Sequence, residues 1–245
     1  MNFKLLAVAA ACACAMPAFA GDYQLGAGLH FDRQEYKGMD IEPVPFPIMH
    51  AETEHFYLHG LEAGGYLLKT PSHQVTLGIS YMPLSFDASE SDNTKMKKLD
   101  DRDASAFANL GYRFNCDWFS VGAKLSTDIS GKSEGMLADV NILKRFTVQG
   151  FGITPMVGVT WASANFNDYY YGVSRAESAR SKLRAYSPDA DTSAYARVLA
   201  DYNFTDHLSV WVETSIRSMS SEVKDSPMVD ESTRLGFGAG INWRF

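Results

Sequence analysis

Thr233–Phe245, TRLGFGAGINWRF, is the stretch that decides the fold. Thr233, Leu235, Phe237, Ala239, Ile241, Trp243 and Phe245 fall on one face, and Arg234, Gly236, Gly238, Gly240, Asn242 and Arg244 on the other. A period of two sends successive side chains to opposite faces of a sheet. This is therefore a strand with one apolar face and one polar, glycine-rich face. Asp22–Asp32 repeats the pattern, with Tyr23, Leu25, Ala27, Leu29 and Phe31 against Gln24, Gly26, Gly28 and His30. Segments 75–81, 106–114, 119–125, 136–142, 151–161, 196–204 and 208–216 alternate in the same way. Each is roughly ten residues long, the length a tilted strand needs to cross a bilayer.

Residues 43–69 are less regular. Pro43, Pro45 and Pro47 are expected to spoil a central strand, while His50 to Leu68 has room for three short strands around Gly60 and Pro71. Counting them gives an all-β chain, a transmembrane antiparallel up-and-down β-barrel of about 12 strands, with about 10 as the alternative. An even number places both termini on the periplasmic side. The links alternate accordingly. Short ones occur at 70–73, 115–117, 146–150 and 205–207, and long ones at 32–42, 85–103, 162–192 and 219–231.

A soluble β-sandwich also alternates. Three features favour the membrane barrel: an export signal, a glycine-rich polar face with charges of both signs, and aromatics at strand ends (Tyr23, Phe31, Tyr81, Trp161, Trp243, Phe245). Met1-Asn2-Phe3-Lys4, an apolar run from Leu5 to Met16, and Pro17-Ala18-Phe19-Ala20 read as a secretory signal peptide over 1–20. Residues 21–245 then form a single barrel domain, exported by the general secretory route to the outer membrane of a Gram-negative bacterium. Losing Lys4 moves the net charge from −7 to −8. That acidic balance argues against a nucleic-acid partner. Of three cysteines, Cys12 and Cys14 leave with the signal and only Cys116 remains, so no internal disulfide is expected.

No nucleophile elbow, zinc-protease, phosphate-loop or paired-cysteine motif occurs, so no enzyme, catalytic residue or cofactor is expected. His50, His55 and His59 cluster, but His55 and His59 on one strand would lie roughly 13 Å apart, too far to share a metal. No metal site is expected. The inward charges are Asp22, His30, Arg113, Lys124, Asp128, Asp139, Arg145, Arg197, Asp201, Glu213, Arg217, Arg234 and Arg244. Because acids are interspersed, a mutually paired plug is preferred over an arginine-lined anion pore. The longest outer loop carries Tyr169, Tyr170, Tyr171, Arg175, Glu177, Arg180, Arg184 and Tyr186. These suit binding to lipopolysaccharide, glycan or protein, or equally a loop folded back over the mouth. Ser174 and Glu177 have capping-box spacing for a short helix.

The segment NDYYYGVSRAESARSKLRAYSPDAD at 167–191 resembles the most characteristic stretch of the MipA/OmpV family of outer-membrane proteins. YKGMDIEPVPFP at Tyr36–Pro47 and FGAGINWRF at Phe237–Phe245 are similar to that family too. The family usually reads Ser-Gly-Leu-Pro where Ser181-Lys182-Leu183-Arg184 stands here. The resemblance implies an outer-membrane scaffold bridging a murein lytic transglycosylase and a murein synthase. Other members are treated as porin-like, here for small anionic solutes, or as surface adhesins. Outer-membrane lipid, lipopolysaccharide and the barrel-assembly machinery complete the expected partners. Phe237, Ile241, Trp243 and Phe245 form the expected assembly signal.

Deleting Phe245, or replacing it with aspartate, is expected to block barrel assembly by removing the terminal aromatic anchor of the closing strand. Heat-modifiable migration on a gel reads this directly, and a normally folded variant would contradict it.

Overall fold

The computed structural model describes residues 21–32, 35–39 and 43–245. The expected signal peptide, 1–20, and Asp40–Glu42 of the early motif lie outside the described residues. The strands are β1 (Asp22–Asp32), β2 (Pro43–Glu52), β3 (Phe56–His59), β4 (Glu62–Lys69), β5 (His73–Met82), β6 (Ser105–Asn115) and β7 (Ser120–Asp128). They continue with β8 (Met136–Leu143), β9 (Phe146–Val148), β10 (Phe151–Ala162), β11 (Asp191–Asn203), β12 (Leu208–Ser218) and β13 (Thr233–Arg244). β8 and β9 both pair with β10 and lie end to end, so the thirteen strands fill twelve wall positions. Every pairing is antiparallel, and β1 pairs with β13, closing one sheet into a barrel. The expected twelve-stranded barrel is what the chain forms.

Closure follows from the solvent. Hydrocarbon offers no partner for a backbone N–H or C=O, so a spanning sheet must satisfy every one within itself. The apolar residues of the alternating strands accordingly point outward: Leu77, Ile79, Val140, Val159, Val198 and Leu235 are all exposed. In water such a surface would be an aggregation site, whereas in lipid it is the solvation layer. The sandwich alternative fails because the apolar face lines the outside of one closed sheet.

Two local expectations are corrected. Phe146–Val148 is strand rather than turn; the turn is Gln149-Gly150 alone, both with positive φ (47° and 82°). That is the backbone a two-residue hairpin requires. Pro43, Pro45 and Pro47 do not spoil a strand: they lie inside β2, which pairs with β1 from Asp22↔Glu52 to Phe31↔Pro43. Against β3, however, β2 pairs only over His50–Glu52. Met49 O accepts from Gly60 N at 2.8 Å, so odd-numbered residues of β2 direct their backbone groups toward β3. The three prolines therefore lack their N–H on the edge where β3 has already ended. Their positions obey the rule that confines proline to an unpaired edge.

Four long loops converge above the wall and share a hydrophobic core. Tyr36 comes from β1–β2, Phe86 and Met96 from β5–β6, and Phe166, Tyr170 and Val173 from β10–β11. Met219, Val223, Met228 and Val229 come from β12–β13. The β10–β11 loop supplies helices α1 (Ala164–Tyr171) and α2 (Arg175–Ser181), and the β12–β13 loop supplies α3 (Ser221–Lys224). Loops from hairpins on different sides of the barrel meet only by crossing its mouth. Inward Phe107 and Leu137 extend the same cluster down into the lumen.

The two faces differ sharply in what they accept. Val157→Arg and Val212→Arg, each at mid-strand and facing lipid, are expected to cost roughly 2–4 kcal/mol, whereas inward Ser209→Asn is nearly neutral. Urea unfolding from lipid vesicles checks this, and the reverse ranking would mean that the strand faces are exchanged.

Candidate functional site

The inward charges meet in pairs on the lumen side of the wall. Arg145 grips Asp201 with two parallel bonds, Nη1 to Oδ1 at 2.8 Å and Nη2 to Oδ2 at 2.7 Å. Lys124 lies 3.1 Å from Glu62, Arg197 3.5 Å from Glu213, and Arg234 3.5 Å from Glu35. Arg244 lies 3.3 Å from Asp22, and His30 4.0 Å from Glu213. Asp139 accepts from Asn141, Thr160 and Tyr195, and Thr160 Oγ1 in turn accepts from Arg217 at 3.2 Å. Arg217 also donates to Ser193 Oγ at 2.8 Å and stacks 4.8 Å from the Tyr195 ring. Asp128 is different. It accepts from Ser130, Ser133 and Glu134 and ties down the short 129–135 loop at the rim. Among the described residues Arg113 has no carboxylate within ion-pair distance.

Pairing does not fill the barrel. A cavity of about 1310 Å³ and a second of about 770 Å³ remain, with Thr160 and Arg217 lining both. Glycines shape the larger one. A Cβ at Gly28, Gly238 or Gly240 would come within 2.9, 3.1 or 2.8 Å of the Trp211 ring. The glycine-rich face of β1 and β13 is thus a flat floor for one indole. The sequence reading assigned Trp211 to neither face, although its even spacing from Ser209 and Glu213 already aims it inward.

His50, Glu52 and His59 bring donor atoms within 4.8 Å of one another. His50 and His59 face each other across β2–β3, with rings stacked at 4.7 Å. Reading distances along one strand missed this pair, because the contact depends on strand register. Glu52 is already occupied: Lys69 Nζ and Tyr66 OH donate to Oε1, each at 2.6 Å, and His59 Nε2 lies 2.8 Å from Oε2. The Lys69 ammonium opposes a cation there, so the cluster is a hydrogen-bonded post near the periplasmic rim.

In the long outer loop, Tyr170, Tyr171 and Glu177 are buried inside the cap, out of reach of a partner. Tyr170 OH bonds Ser105 and Asp103, and Tyr171 OH donates to buried Glu35 at 2.7 Å. Tyr169 OH accepts from Asp103 N, Tyr186 OH donates to Glu222 O, and Arg184 donates to Asp225 O. Arg180 pairs with Asp100 from the surface, and Arg175 is exposed. The Ser174–Glu177 capping box is present, and Lys182 ends α2 in the left-handed region at φ 63°. A left-handed backbone costs a non-glycine residue about 1–2 kcal/mol. Lys182 occupies the place of the glycine in the family's Ser-Gly-Leu-Pro.

The buried ion pair of the cap is Arg102–Glu177, at 2.8 Å. Burial alone would raise the Glu177 carboxyl. Backbone N–H groups of Asp100 and Ser174 and the Arg102 guanidinium outweigh it and hold the group below its ordinary value.

A family model described as "MltA-interacting protein MipA" matches residues 25–245. The "MltA-interacting protein" of Escherichia coli (strain K12) is 37% identical over 225 residues, covering 92% of this chain and 91% of that protein. The "Putative outer membrane protein YiaT" of Escherichia coli O157:H7 is 30% identical, covering 93% of each. The "24 kDa outer membrane protein" of Pasteurella multocida (strain Pm70) is 24% identical over 99% of this chain and 98% of its own length.

A depressed carboxyl stabilises the fold above its unfolded pKa of about 4.3, and that contribution is lost as pH falls through the folded value. The cap is therefore expected to loosen in acid below about pH 4 while the wall stays folded. Glu177→Ala, which strands Arg102, is expected to destabilise the cap by about 3–5 kcal/mol. Hydrogen exchange over 164–190 measures both effects, and unchanged protection in the variant would contradict the assignment.

Proposed function

The chain belongs to the MipA family, and from that footing we propose that this outer-membrane barrel is a scaffold for murein-remodelling enzymes, binding a murein lytic transglycosylase and a murein synthase at its periplasmic face. The observation that carries this reading is the 37% identity, over nine-tenths of both chains, to a protein named for interacting with MltA. The geometry supports it in two ways. The outer loops spend their aromatic residues on one another, so the cap offers few apolar groups to a partner. The opposite rim does offer some. Trp118, in the β6–β7 turn, is 78% exposed, and Lys144 Nζ stands 5.7 Å from its ring and 5.8 Å from that of exposed Phe146. An exposed tryptophan beside a cation is the composition of an interface anchor. No catalytic role is proposed.

A channel for small anionic solutes is the second reading. The two cavities and the unpaired Arg113 favour it.

The test pairs two measurements on the purified barrel. In pull-down with a purified murein lytic transglycosylase, Trp118→Asp is expected to weaken capture at least tenfold, and removal of residues 167–188 to leave it intact. In planar bilayers the intact barrel is expected to stay near the lipid background. Stepwise anion-selective conductance without capture of the enzyme would replace the scaffold by the channel.

A further inference from the structure

β2 departs from the other wall strands in three ways that converge on one place. First, its edge is open. β3 ends at His59 and β4 begins at Glu62, so the hairpin between β2 and β5 stops at Gly60-Leu61. β2 runs on past it from Ile48 to Pro43, about 20 Å of strand. Among the described residues no strand pairs with that edge. Its three donors are absent because the residues are Pro43, Pro45 and Pro47. In hydrocarbon an unpaired N–H costs several kcal/mol, and proline removes the donor outright.

Second, the opening lies at bilayer depth. The unpaired stretch is in register with Gly26 to Phe31 of β1, through Gly26↔Ile48 and Phe31↔Pro43. Within that stretch Ala27 and Leu29 point outward and are exposed, the phase that faces lipid in the spanning part of the wall. What adjoins the gap is the acyl region of the outer leaflet.

Third, the open stretch of β2, Pro43 to Ile48, is apolar on both faces. Register with Gly26, Gly28 and His30 turns Ile48, Phe46 and Val44 toward the lumen, where the other strands present mostly glycine and polar residues. All three line the larger cavity, together with Leu61 at the hairpin tip and Leu84 beyond β5. Phe46 packs 5.9 Å from Trp211, continuing the apolar surface inward. Val44 points inward and is still 56% exposed, as a residue at a doorway is. A stretch wetted on its lumen side would place polar side chains there, as β2 does lower down at His50 and Glu52; the open stretch is built for hydrocarbon on both sides. The cavity behind it, about 1310 Å³, exceeds the roughly 300–1,000 Å³ of ordinary small-molecule sites.

We propose that the lumen opens sideways between β2 and β5, and that the acyl chain of an outer-leaflet lipid enters through this gap to lie against Val44, Phe46, Ile48 and Trp211. The inference does not depend on the scaffold reading, because the gap and the periplasmic rim are separate surfaces.

The experiment places photoreactive benzoylphenylalanine singly at Val44, Phe46, Leu29 or Thr76. Each variant is checked by heat-modifiable migration and reconstituted in nanodiscs of phosphatidylcholine carrying an alkyne-tagged acyl chain. Leu29 faces lipid and is the positive control; Thr76 faces the second cavity from the part of β5 that is paired on both edges and is the negative one. Val44 and Phe46 are expected to cross-link lipid within threefold of Leu29 and at least tenfold above Thr76. Lipid labelling at Val44 and Phe46 no greater than at Thr76, with Leu29 labelled, would overturn the proposal. So would labelling at those two positions by water-soluble tagged octanoate alone, which would mean that a dissolved amphiphile, not a bilayer lipid, fills the site.

Discussion

The backbone hydrogen bond, made where no water can substitute for it, governs this molecule. It forces the sheet to close, which requires β1 and β13 to meet, and closure fixes which side chains see lipid and which see the lumen. The same constraint explains the one place where the ladder stops. On the edge away from β1, β2 has no neighbour along half its length, and the chain answers with a residue that carries no donor, three times at alternate positions. The irregularity and the regularity have one cause.

Inside the wall the logic changes from hydrogen bonding to charge compensation. Lys124–Glu62 joins β7 to β4 and Arg145–Asp201 joins the β8–β9 link to β11, each past at least one intervening strand, so these two pairs act as struts, whereas Arg197–Glu213 ties adjacent β11 and β12 together. Asp139 and Arg217 meet indirectly through Thr160 and Tyr195. A guanidinium or carboxylate in a confined lumen loses part of its hydration, and leaving one partner alone is more costly than burying the pair. Pairing, rather than steric filling, is what distinguishes this interior: most of the charges are matched, Arg113 excepted among the described residues, yet large cavities persist between them.

Strands and faces were legible in the sequence because the period of two is a local property. Thr233–Phe245 alone carries it unambiguously. The prolines of β2 were read against a general rule about central strands, and the strand is central in sequence order but half-open in space; only pairing register shows that. His50 and His59 escaped for the same reason, since their contact is across strands. Tyr170, Tyr171 and Glu177 illustrate a different limit. Tyrosine and glutamate in a long loop read as a surface, and nothing local says that four loops will converge and bury them. The capping box of Ser174 and Glu177 was legible because it is a three-residue relation.

The cap also fastens the seam. Tyr36 bridges Val229, Lys37 N donates to Met228 O, and Asp230 N donates to Glu35 O, all directly above the line where β1 meets β13. At the other end Phe245 N donates to Tyr23 O. The first and last strands are thus clasped at both rims by residues from opposite ends of the chain. Contacts of such separation carry a large loop-closure cost and are slow to form. Once shut, the outer clasp turns unzipping from that rim into a process that must first break a packed core. The barrel is held together by the order in which it can come apart, a kinetic lock laid over a thermodynamic one.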